Sequence, residues 1–104
     1  MTSSVDPTSL FRLDGKVALV TGGSRGLGKQ MIQAFAAVGA DVVIASRKKD
    51  ACEKLAREVE KQTGQRALAV GCHVANWEQC DALAKETLDH FGRIDVLVMS
   101  FIHI

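Results

Sequence analysis

Four short apolar runs alternate with three longer segments in which apolar residues recur at helical steps, and this alternation predicts a β-α-β-α-β-α-β chain. The first run is Val17-Ala18-Leu19-Val20, which opens into a segment with Leu27, Met31, Phe35 and Val38 on one face, ending at Gly39, a position suited to a left-handed cap. Asp41 to Ser46 is a second run without alternation, the pattern of a parallel strand covered on both faces. Lys49 to Thr63 reads as a helix with Cys52, Leu55, Ala56 and Val59 as its inward stripe and charge elsewhere; Gly64 stops it. Arg66 to Cys72 is the third strand, centred on Ala67-Leu68-Ala69-Val70. Asn76, with Gln79 three residues on and Glu78 in the first turn, marks the start of the third helix. Its inward row is read as Trp77, Cys80, Ala84, Thr87, Leu88 and Phe91, with packing rather than base stacking as the role of Trp77, and it closes at Gly92. Ile94 to Val98 is the fourth strand.

Between the first strand and the first helix lies Thr21-Gly22-Gly23-Ser24-Arg25-Gly26-Leu27-Gly28. At such a junction a diphosphate can lie against backbone N–H groups at a helix start, where the macrodipole also favours negative charge, and glycine keeps a Cβ out of the turn. The spacing is Gly-x-x-x-Gly-x-Gly after Thr, which differs from the general Gly-x-Gly-x-x-Gly dinucleotide fingerprint. With Asp14-Gly15-Lys16-Val17-Ala18-Leu19-Val20 before it, this stretch resembles the cofactor loop of the short-chain dehydrogenase/reductase family, over roughly residues 12 to 98. The resemblance implies a partial Rossmann-type α/β fold, a doubly wound parallel sheet with right-handed crossovers and strand order 3-2-1-4. It also implies a nicotinamide dinucleotide held by Gly22, Ser24, Arg25, Gly26, Leu27 and Gly28.

The end of the second strand bears on which dinucleotide. Folds that prefer NAD place an acid there for the ribose 2′-hydroxyl, and that acid repels a 2′-phosphate. This chain has Ser46, then Arg47 and Lys48, with Arg25 in the glycine loop, a set that suits a phosphate through paired charge-assisted hydrogen bonds. NADP(H) is therefore the expected cofactor, against the plainer reading of Arg47 and Lys48 as solvated loop residues. Where family members often carry Asp-Val to hold the adenine, this chain has His73-Val74; members resembling carbonyl reductases carry Cys-His-Val here. His73 is read either as an adenine hydrogen-bonding partner or as a half-exposed loop histidine, and no second ligand is spaced to make it a metal site.

At 104 residues the chain holds one domain at most, and a sheet covered by helices on both faces ordinarily needs more chain. A net charge of +1 with both signs interspersed offers neither a basic stripe for nucleic acid nor an acidic tail. Cys52, Cys72 and Cys80 form no Cys-x-x-Cys pair, which argues against a disulfide framework or zinc site; they are read as core or half-buried thiols in a reducing cytoplasm. No signal peptide or membrane-spanning run is read in the sequence. Residues 1–11, with Pro7 among Ser and Thr, are expected to be a flexible arm, 12–98 the nucleotide-binding half-domain and 99–104 an atypical apolar tail.

After Leu97-Val98 the resemblance breaks. Family members continue Asn-Asn-Ala-Gly; this chain reads Met99-Ser100-Phe101-Ile102-His103-Ile104, an ending expected from a frameshift, alternative ending or premature stop. The resemblance assigns catalysis to a Ser and a Tyr-x-x-x-Lys pair further on, and the sequence has no tyrosine, so no catalytic residue is assigned in it. A hydrolase built on Ser100 and His103 lacks an acidic partner at motif spacing. Two classes stay open: an NADP(H)-dependent oxidoreductase of which this chain carries the cofactor half, and a catalytically inactive nucleotide-binding or partner-dependent remnant. Val96, Leu97, Val98, Met99, Phe101, Ile102 and Ile104 make the fourth strand an apolar edge, for which self-association is expected.

Overall fold

Apolar runs without alternation need cover on both faces, and the sheet receives it unevenly. A computed structural model describes residues 12–22 and 25–99. Its elements are β1 (Val17–Thr21), α1 (Gly26–Ala37), β2 (Asp41–Ser46), α2 (Lys49–Thr63), β3 (Ala67–Gly71), α3 (Trp77–Phe91) and β4 (Val96–Val98). The four strands are all parallel in the order β3-β2-β1-β4, as expected. One face, with Ala18, Val20, Val42 and Ile44, is covered by α1 and α2 through Ile32, Ala36, Cys52, Leu55, Ala56 and Val59. The other face, with Val17, Leu19, Val43, Ala45 and Val70, packs with Cys72 and with Leu83 of α3.

The α2 stripe is the one expected, and Gly64 and Gly92 close α2 and α3 in the left-handed region. Two helix faces differ from the sequence reading. In α1 the buried positions are Gly28, Ile32 and Ala36. Met31, Phe35 and Val38 are half-buried, and Leu27 is 62% exposed. Two small side chains in the Gly28–Ile32–Ala36 row let the helix backbone approach the sheet, and the bulkier residues flank that contact.

In α3 the buried residues are Leu83 and Thr87, with Cys80, Ala84 and Phe91 half-buried. Trp77 is 83% exposed and does not pack. It occupies the first helical position, just after the loop that leaves β3. Leu88, also exposed, stands one 100° step from Thr87 and so off the inward row.

Side chains tie down the edge where the strands begin. Asp41 takes the backbone N–H and the guanidinium of Arg66, the latter at 2.8 Å, and Arg66 lies over the Phe91 ring. Asp95 accepts from Val17 N–H at 2.8 Å and pairs with Arg93 at 2.7 Å. Both contacts, that with Arg93 first, hold the Asp95 carboxyl below its ordinary range. Among the described residues β4 pairs only with β1, and Leu97 and Met99 in and after it are exposed. The expected arm at 1–11 and the apolar residues Phe101, Ile102 and Ile104 lie outside the described residues. Among the described residues no helix is long and apolar enough to cross a membrane.

Candidate nucleotide-binding site

Because the strands are parallel, the loops that leave β1, β2 and β3 and the residue after β4 all emerge at one edge of the sheet. The chain runs outward from β1 to β2 to β3 and then returns to place β4 on the far side of β1. The switch point, where open α/β sheets form their ligand crevice, is thus between β1 and β4. Thr21, fully buried at the end of β1, reaches the carbonyl of Val98 across it at 3.5 Å. The ladder runs one residue beyond two strands: Gly22 N–H donates to Ala45 O at 2.7 Å and Cys72 N–H to Ser46 O at 2.8 Å.

The β1–α1 turn requires glycine at two of its positions. Gly22 has φ +70° and Gly26 φ +63°, both in the left-handed region, and among the described residues no atom beyond its chain neighbours and its own helix backbone lies within 4 Å of where a Cβ on Gly26 would stand. Arg25 is the N-cap, extended at φ −157°, and offers no side-chain hydrogen bond to the helix. The first turn of α1 carries no acid. Among the described residues, therefore, neither a side-chain cap nor a first-turn acid meets the N–H groups of Gly26, Leu27 and Gly28 at this helix start. Of the other residues expected here, Arg25 and Leu27 are exposed, Gly28 is buried against the sheet, and Ser24, like Gly23, lies outside the described residues.

At the end of β2, Arg47 and Lys48 are exposed and line a shallow depression with Lys49, Asp50 and Ala51. The Ser46 hydroxyl accepts from Lys48 N–H at 3.1 Å and meets Cys52 Sγ at 3.1 Å, so it shapes the loop that carries Arg47 and Lys48. The Cys52 thiol is pushed up by burial.

At the end of β3, His73 is exposed. Its Nδ1 accepts from Ala75 N–H at 3.3 Å, which puts its proton on Nε2 when neutral. Val74 is half-buried against the α3 side of the sheet. Gln79 does not complete the reciprocal cap that its spacing from Asn76 suggests. Asn76 caps α3 by accepting from Gln79 N–H at 3.1 Å, but the Gln79 side chain accepts from His73 N–H at 2.6 Å. Among the described residues no three His, Cys, Asp or Glu side chains group as a metal site.

The edge thus offers a helix start that Arg25 does not cap, behind two glycines at positive φ, with a basic loop after β2 and a third loop that carries a polar ring. A helix start of this kind can hold an anion, and the basic loop adds positive charge at the same edge. A family profile described as short chain dehydrogenase matches residues 16–100. The chain is 46% identical over 87 residues to the 3-oxoacyl-(acyl-carrier-protein) reductase of Synechocystis, covering 83% of this chain and 35% of that protein. The structure of L-sorbose reductase from Gluconobacter frateurii, complexed with NADPH and L-sorbose, superposes with a TM-score of 0.85 at 35% identity, covering 88% of this chain and 35% of that one. The 3-ketoacyl-(acyl-carrier-protein) reductase of Brucella melitensis, complexed with NADH, gives 0.75 at 41% identity over 82% of this chain and 33% of that one. The chain spans about a third of the length of these relatives.

Proposed function

Because the chain belongs to the short-chain dehydrogenase/reductase family, we propose that it forms the nucleotide-binding half of an oxidoreductase acting on a carbonyl or alcohol with NADP(H). The bound dinucleotide supplies the hydride acceptor or donor. This chain's residues bind and orient it: the N–H groups of Gly26, Leu27 and Gly28 hold the diphosphate, with Gly22 shaping the turn. Arg25, Arg47 and Lys48 meet the 2′-phosphate, on a loop that Ser46 ties down, and His73 and Val74 border the adenine. The observation that carries this reading is the α1 start, where among the described residues Arg25 makes no capping bond and no acid follows behind glycines at positive φ.

The preference for NADP(H) rests on charge. No carboxylate stands at the end of β2, where Ser46 is followed by two exposed basic residues. Calorimetric titration with NADP+ and NAD+ tests it: NADP+ binds tighter, and Arg47→Asp reverses the order. An unchanged ratio in Arg47→Asp contradicts the assignment.

A second reading concerns turnover. The 104 residues contain no tyrosine, so they supply no Tyr–Lys pair for proton transfer, and the chain alone binds nucleotide without turning it over. NADPH absorbance with a panel of ketones checks this; steady consumption contradicts it. The edge of β4 away from β1, which no described strand pairs, is read as pairing with a second copy of the chain. Sedimentation over a range of concentrations tests that pairing, and a monomer throughout contradicts it.

A further inference from the structure

Two of the three cysteines, eight positions apart in sequence, one just after β3 and one in α3, each turn the thiol onto the backbone of the other's segment. Cys72 follows β3 and is 4% exposed; Cys80 is half-buried in the first turn of α3. The Cys72 thiol points at Gln79 O, 3.7 Å away, which belongs to the peptide unit leading into Cys80. The Cys80 thiol donates to Val74 O at 3.3 Å, two residues beyond Cys72. Burial first, and then the neighbouring Cys80, pushes the Cys72 thiol up. Cys52 belongs to the core on the opposite face of the sheet, fully buried and engaged with Ser46.

We propose that Cys72 and Cys80 form a reversible dithiol–disulfide modification site, closed by a hydroperoxide and reopened by a thiol reductant, beneath the turn that carries His73 and Val74. Cys80, the one of the pair that solvent reaches, is attacked first. Its thiolate takes the terminal oxygen of the hydroperoxide; the O–O bond breaks, the alcohol (or water, from hydrogen peroxide) leaves with a proton, and Cys80 becomes a sulfenic acid. The Cys72 sulfur, losing its proton, attacks the Cys80 sulfur and expels water, forming the S–S bond. Two thiols lose two electrons and one hydroperoxide gains them. In a reducing compartment the pair rests as thiols, and the disulfide is transient.

Closure removes the thiol donors that hold Val74 O and Gln79 O and ties the turn covalently to α3. Resting on the reading of His73 and Val74 as the border of the adenine site, closure weakens NADP+ binding about five-fold, the worth of roughly one net hydrogen bond.

The test treats the purified protein with one equivalent of hydrogen peroxide, then alkylates it under denaturing conditions for intact-mass and peptide analysis. The expected result is one alkylated thiol, at Cys52, with the Cys72 and Cys80 peptides linked; dithiothreitol restores three. Cys80→Ser, a change at a half-buried position, leaves Cys52 and Cys72 both alkylated after the same treatment. Sulfinic acid at Cys80 with Cys72 still reduced, or Cys80 linked between molecules, overturns the proposal. If the internal disulfide forms but the NADP+ affinity of the oxidised protein is unchanged, its regulation of the site is overturned while the modification stands. If the reduced protein binds no nucleotide, the failure belongs to the functional reading and not to the thiol pair.

Discussion

The starts of α1 and α3 solve the same problem in opposite ways. Each follows a parallel strand at the same edge of the sheet, and each begins with N–H groups that the helix cannot satisfy. At α3, Asn76 accepts from Gln79 N–H and Glu78 places a carboxylate in the first turn. At α1, Arg25 makes no capping bond, no acid follows, and Gly22 and Gly26 hold conformations that keep side chains away. A missing cap costs about 1 kcal/mol, and α1 forgoes it at the switch point of the sheet. On the proposed reading its helix start receives an anion from outside, whereas Asn76 caps that of α3 from within.

Exchanging features between the two junctions tests the contrast. The largest effect is expected from Gly26→Asn. Asparagine is among the side chains that the left-handed region strains least, so the variant is expected to fold with a modest loss of stability that melting reads separately from binding. Its side chain then fills the position of the diphosphate, and titration reads a loss of NADP+ affinity of about 100-fold. Binding within a few-fold of the parent contradicts a diphosphate at this turn.

Next is Leu27→Asp, which gives α1 the acid that α3 has. Leu27 is exposed, so little packing is lost. The carboxylate stabilises the helix start by about 0.3–1 kcal/mol and repels the diphosphate, lowering affinity about 30-fold. Thermal melting and titration should therefore move in opposite directions, and a variant that gains in both defeats the account.

Asn76→Ala makes the reverse change at α3. Melting should fall by about 4–8 °C, for a loss near 1 kcal/mol, with NADP+ affinity unchanged. Loss of affinity without loss of stability would place the anion at the wrong helix.

The smallest effect lies at the opposite edge of the sheet. The native-state pKa of Asp95 is depressed, so its contribution to stability is present above the ordinary carboxylate range and is lost as pH falls through the depressed value. Asp95→Asn removes that part of the acid limb, giving a flatter stability profile below about pH 4. An acid limb identical to the parent's contradicts the role given to Asp95, and NADP+ affinity at neutral pH is expected to be untouched.

The strand–helix alternation was readable because parallel strands are uniformly apolar and the helices carry apolar residues at helical steps. The stripe of Cys52, Leu55, Ala56 and Val59 and the stop at Gly64 follow from that pattern alone. Periodicity was a poorer guide to which neighbouring row faces inward. In α1 the contact is made by Gly28 and Ala36, whose value is smallness, so the larger Leu27 drew the row one position aside. In α3 the same bias favoured Trp77 and Leu88 over Leu83.

The candidate site divides along similar lines. The glycine turn is local in sequence and was legible. The Ser46 hydroxyl turning to Lys48 and Cys52, Gln79 reaching His73, and Cys72 meeting Cys80 depend on how separate segments fold back, and spacing alone does not show them.

The central claim is that the α1 start, and not the α3 start, receives the dinucleotide diphosphate. Backbone amide NMR during titration with NADP+ reads both junctions in one experiment. The account predicts the largest saturable shifts at Gly26, Leu27 and Gly28, with Glu78, Gln79 and Cys80 much less affected. Shifts centred on α3, or saturation with the α1 amides unmoved, would contradict it.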